Sequence, residues 1–157
     1  MPSIQRYKPN TNLQTFKIGD IGPGGGWIFI TPSTSGNTTG QYFEIAPLGA
    51  VTGGGKKFAD TAYVSTAITG ADGTAIGTGR LNTFDIIAQG SIDSAANYCA
   101  TLTYGGKSDW FLPSQSELLE AYNNRMVIGI DNLPTGNTWT STEVSATNGR
   151  YVQMGTG

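Results

Sequence analysis

"GGKSDWFLPSQSELLEAYNNR", Gly105 to Arg125, is the stretch whose reading decides the fold. Gly105-Gly106 marks a turn, because glycine enters left-handed backbone without steric cost. Ser114 and Glu117 stand as S-x-x-E immediately ahead of Leu118, Leu119 and Tyr122. That spacing is a reciprocal capping box. The Ser114 hydroxyl accepts the Glu117 amide, and the Glu117 carboxylate reaches back to the Ser114 amide. Pro113 disfavours helical backbone at Leu112, so Trp110-Phe111-Leu112 reads as a short strand or bridge leading into the helix. Trp110 is expected to be buried, and Asp109 on the turn is placed to accept nearby backbone amides. Every polar residue of the stretch therefore has a structural duty. Glu117 as a catalytic acid would need a second titrating partner, and none is close in sequence.

Two further helices precede this one. In "LNTFDIIAQG", Asn82 with Asp85 three positions on reads as an N-cap, and Gly90 supplies a stop. In "SIDSAANYCATLTYGG", Ser91 or Asp93 can cap, and Ile92, Ala95, Ala96, Cys99 and Leu102 recur on one helical face. Strands lie on either side. "GPGGGWIFI" is a glycine-rich turn opening the strand Trp27-Ile28-Phe29-Ile30, and "YFEI" returns as its hairpin partner. A phosphate cradle runs from strand to loop to helix, so this loop has the wrong order and also lacks a terminal Lys-Ser/Thr pair. Towards the end, Trp139 alternates with small polar residues as in a half-buried strand. Asn148-Gly149 reads as the hairpin turn into a last strand, Arg150–Met154.

Composition excludes several kinds of function. The chain has 157 residues, the length of one domain, with 23 Gly and only 13% charged residues. It contains no His and one Cys, which removes a zinc site, a Ser-His-Asp triad and any internal disulfide. No cofactor is expected. A net charge of −2 gives no reason to expect nucleic acid or an anionic membrane as partner. No apolar run is long enough to span a bilayer, and no signal-peptide core opens the chain, so synthesis in a cytoplasm is expected.

Residues 49–80 form a long Gly/Thr/Ala segment with few large apolar anchors; loops of that length usually serve binding or an interface. Lys56, Lys57, Phe58 and Tyr63 are its candidate ligand-binding residues. Glu143 reads as a carboxylate hydrogen-bonded to backbone amides and not as a metal ligand, because calcium needs six or more oxygens. At the other end, residues 1–17 carry Arg6, Lys8 and Lys17 with no acid, plus Pro2 and Pro9. They read as a basic arm that orders only against an acidic partner, is sensitive to salt, and can be removed without unfolding the 18–157 domain.

The blocks "IGDIGPGGGWIFI", "AIGTGRLNTFDIIAQG", "SAANYCA", "GGKSDWFLPSQSELLEAYNNR" and "TWTSTE" follow the order seen in one domain family. Over residues 18–155 the chain resembles the C-terminal domain of the Legionella collagen-like adhesin, a family that recurs in bacterial surface proteins and phage tail fibres. Asp109-Trp110, Leu112-Pro113-Ser114 and Trp139 with Ser141-Thr142-Glu143 are its most specific parts. The resemblance implies an α+β, C-type-lectin-like domain related in architecture to the formylglycine-generating enzyme, with short twisted antiparallel sheets, two to three helices, long loops and trimeric assembly. Members of the family continue past the position of Gly157 into a closing strand that this chain lacks. The adhesin's binding of sulphated polysaccharide implies a basic surface, and this acidic sequence offers no obvious one. The expected function is a non-enzymatic phage virion protein, a tail-fibre tip or capsid decoration. Its arm would hold other virion proteins and its domain would meet a host-surface glycan. The alternative is a bacterial cell-surface adhesin domain that binds polysaccharide. An enzyme of the formylglycine-generating type would rely on reactive cysteines, and Cys99 stands alone in a helical setting.

Overall fold

A computed structural model describes residues 1–9, 14–51, 55–60 and 65–155. They form a mixed α+β domain with two antiparallel sheets and four α-helices. The first sheet has the order β1-β3-β2, with β1 Ile4–Tyr7, β2 Trp27–Ile30 and β3 Tyr42–Ile45. The second is the hairpin of β4, Asn137–Ser145, and β5, Asn148–Gln153. Between them in sequence run α1 Gly79–Ala88, α2 Ala95–Ala100, α3 Gln115–Asn123 and α4 Arg125–Ile128.

Alternation decides what each strand buries. Phe43 and Ile45 of β3 join Ile4, Phe29 and Ile30 in the main core, closed by Leu118 and Ala121 of α3 and by Ile128, Val152 and Met154. Glu44 points to the other face yet is also fully buried. The glycine-rich loop explains it: Gly24 N and Gly26 N donate to its two oxygens at 2.9 and 3.0 Å, and the Gln5 amide donates as well. A Cβ at Gly22 or Gly24 would run into Glu44 or Gln5, and one at Gly26 into the Ile45 carbonyl, so the glycines let the backbone close on the Glu44 carboxyl group. This loop binds a carboxyl group, and the group is the protein's own side chain.

The arm expected at residues 1–17 is, over its first half, part of the fold. Ile4–Tyr7 pairs with β3 in the register Ile4↔Ile45 to Tyr7↔Tyr42, and Ile4 also bridges Phe111. Ser3, Ile4 and Gln5 are buried. Arg6 is half-buried and donates to Gly77 O at 3.0 Å, so it is a structural tie and not a free docking charge. Lys8 and Lys17 are exposed. Three charges and two prolines make the segment look like a free arm, whereas an edge strand needs only one buried position and a neighbour with open backbone groups.

The capping box of α3 is present in both directions, Ser114 N to Glu117 Oε2 at 2.7 Å and Glu117 N to Ser114 Oγ at 3.4 Å. Glu117 does more. Its other oxygen accepts Gly77 N at 2.8 Å, two residues ahead of α1, so one buried side chain caps α3 and ties it to the entry of α1. This displaces the start of α1 from the expected Asn82 to Gly79. Asn82 lies inside the helix, buried, and donates to Gly73 O at 2.7 Å. In α2 the cap is Ser94, not Ser91 or Asp93, which leaves Ile92 outside the helix and 73% exposed. Trp110 is buried and donates to Tyr104 O at 3.3 Å. Asp109 differs from expectation: it is exposed, and its carboxylate accepts no hydrogen bond among the described residues.

Candidate functional site

The elements converge on a groove of about 420 Å³ beside the β4–β5 hairpin. Its walls are the segment 55–59, Thr66 and Ile68, and the hairpin residues Trp139, Glu143 and 145–149. Three of the four predicted ligand-binding residues, Lys56, Lys57 and Phe58, are thus brought together with Trp139 and Glu143. The fourth, Tyr63, lies outside the described residues.

Each wall is fixed by identifiable bonds. The backbone of Lys57 forms a parallel bridge to Ser94, with Ala95 N donating to Lys57 O at 2.8 Å, which ties the segment to the start of α2. Asp60 Oδ1 accepts Asp93 N at 2.7 Å, and Lys56 pairs with Asp93 across the same junction. That exposed pair raises the lysine's pKa and lowers the aspartate's through their mutual hydrogen bond. Opposite, the Glu143 carboxylate accepts Ile68 N with both oxygens at 3.0 Å, while Glu143 N donates to Ala71 O at 2.7 Å. Glu143 therefore fastens the 66–71 loop to β4. Among the described residues no group of three or more acidic or Cys side chains is placed to hold a metal ion.

The floor is aromatic. The Phe58 and Trp139 rings lie 6.0 Å apart, tilted by 52°, and Tyr151 meets Trp139 edge-to-face at 6.1 Å from the neighbouring strand. Phe58 and Trp139 also pack against the second core cluster of Ile68, Ala71, Ile86, Ala95, Ala96, Cys99 and Leu112. Tyr151 is 54% exposed. Gly149 makes the arrangement possible, because a Cβ there would overlap the Phe58 ring. Asn148-Gly149 is expected in the hairpin turn, but the turn is Ala146-Thr147, and Asn148 and Gly149 belong to β5. Ser145 pairs with Asn148, and Asn148 Nδ2 reaches Thr147 Oγ1 at 3.0 Å, which closes the loop two residues earlier. Nothing local in the sequence foretold that Gly149 is bare to admit Phe58. The contact spans most of the chain.

Cys99 is fully buried in the second cluster, and burial pushes its thiol up to about 11, so at neutral pH it is a packed thiol and not a nucleophile. Comparison with family models, with characterised proteins and with solved structures gave no match.

Proposed function

We propose that this chain is a non-enzymatic attachment module of C-type-lectin-like architecture, a structural protein of a phage virion that presents its groove to a host-surface glycan. The observation that carries the reading is the aromatic floor of Phe58 and Trp139, rimmed by hydroxyl and amide side chains at 145–148. A pyranose ring has one face of C–H groups and an equator of hydroxyls. Aromatic faces bury the first, and short polar side chains satisfy the second. The volume lies in the range of small-ligand sites, about 300–1,000 Å³. A strand-adding peptide is less well served along β4, because Ser141 N and Glu143 N of its outer edge already donate to Pro113 O and Ala71 O. The carboxylate in the groove is held by a backbone amide, which suits positioning rather than proton transfer.

The tail-fibre or decoration role rests on the family resemblance, and the β1 strand removes the arm from its support. Binding of the purified protein to immobilised host-surface polysaccharide tests the site. Trp139→Ala is expected to weaken it by about 2 kcal/mol or more, ~30-fold, as for a central aromatic anchor, with the far-ultraviolet circular dichroism unchanged. Equal binding by the two proteins, or turnover of the polysaccharide, would reject the reading.

A further inference from the structure

The groove has a neighbour. A second open cleft of about 330 Å³ adjoins it, and the two share Gly55, Lys56 and Trp139. Trp139 therefore stands between two chambers and lines both. The second chamber adds Leu48 and Val51 on its apolar side and Thr135 and Asn137 on its polar side. The Thr135 hydroxyl and the Asn137 carboxamide make no hydrogen bond among the described residues, and both residues are exposed. They are open donors and acceptors beside an aromatic ring.

One strand runs along both chambers. Asn137 lines the second, Trp139 the junction, and Glu143 and Ser145 the first. The register slips between Trp139 and Glu143, so Asn137 to Glu143 lies opposite only Gln153 to Gly149. At about 3.3 Å per residue of the partner strand that is roughly 13 Å, a length of two to three pyranose rings. The ridge between the chambers is held in place, since Lys56 pairs with Asp93 and the Lys57 backbone is bridged to Ser94. A pocket for a terminal sugar would be closed at one end. Here two open clefts meet along the shared residues Gly55, Lys56 and Trp139.

We infer that the two chambers form one continuous surface that recognises an internal run of a linear oligosaccharide, with Trp139 stacking at its centre and Thr135 and Asn137 reading the units beyond it. The inference rests on the glycan reading of the first chamber and goes further, to chain length and to a second set of contacts. Along such a surface each unit adds contact without new ordering of the protein, so affinity rises with length until both chambers are filled.

The test is a printed array of neutral and N-acetylated oligosaccharides, in ladders from monosaccharide to hexasaccharide, probed with the intact protein. Binding is expected to climb from disaccharide to tetrasaccharide and then level. Combined Thr135→Ala and Asn137→Ala, both at exposed positions, should weaken the longer members by about tenfold and leave the short ones unchanged. Should monosaccharides bind as well as hexasaccharides, with the double variant silent and Trp139→Ala still disruptive, the second chamber is not part of the site and the glycan reading survives alone. Should no ladder bind at all, both fail together.

Discussion

Glu117 shows how much one side chain can organise when it is buried and fully partnered. Its oxygens accept amides from Ser114, the cap of α3, and Gly77, just ahead of α1, two donors that would otherwise lack a partner. Burial raises its pKa above the ordinary 4.5, opposed by those same amides. Glutamine has the same shape but turns an NH₂ towards donors. Glu117→Gln is therefore expected to cost about 3 kcal/mol or more, the penalty of buried amides left without acceptors, measured by urea unfolding with the m-value unchanged. A loss under about 0.5 kcal/mol, the level of an ordinary surface change, would show that these bonds carry little weight. Half of this role is legible in the sequence, because Ser114 and Glu117 sit three residues apart. The other half joins Glu117 to Gly77, 40 residues away, and no local pattern announces it. Glu44 follows the same logic: "YFEI" reads as a strand and "GPGGG" as a turn, yet neither says that the turn exists to hold the glutamate.

Among the elements, β1 departs furthest from its sequence reading. Hairpins and caps are written in short spacings, so β2 with β3, the α3 cap and the aromatic strand at Trp139 could be placed from local signals. An N-terminal edge strand has no turn beside it and is chosen by what lies across from it. Its burial reverses the expectation for truncation. Removing residues 1–9 strips Ile4 from the main core, takes the Gln5 amide from Glu44 and exposes one edge of β3. Loss of the Ile4 side chain alone is worth about 2–5 kcal/mol, and the exposed edge invites aggregation. The shortened chain is expected to be insoluble or unfolded by circular dichroism at room temperature. A folded, monomeric product would restore the idea of a separable arm. The groove obeys the same division. Lys56, Lys57 and Phe58 stood out because charged and aromatic residues are scarce in their segment, while Thr66, Ile68 and Gly149 joined them only through tertiary contacts.

For the molecule as a whole, the two buried glutamates set a definite dependence on acidity. Glu44 and Glu117 both have folded values raised by burial above the unfolded 4.5. The native state takes up these protons before the unfolded chain does, so their contribution is largest below 4.5 and is lost as pH rises through the folded values. Unfolding midpoints are expected to rise on mild acidification from neutrality, and to rise less in Glu44→Gln and Glu117→Gln proteins. A midpoint that falls steadily from neutrality down to about pH 5, the usual lower edge of the stability plateau, would contradict the raised values.

The bridge between Ile4 and Phe111 has a consequence for synthesis. The first strand emerges from the ribosome early, yet the residue that closes its second edge is made long afterwards. At about 5–20 residues per second the interval is roughly 5–20 s. Throughout it, an apolar edge waits in the crowded space outside the exit tunnel. Chaperones that shelter nascent chains would meet this protein there, and slow codons ahead of Phe111 would lengthen the exposure.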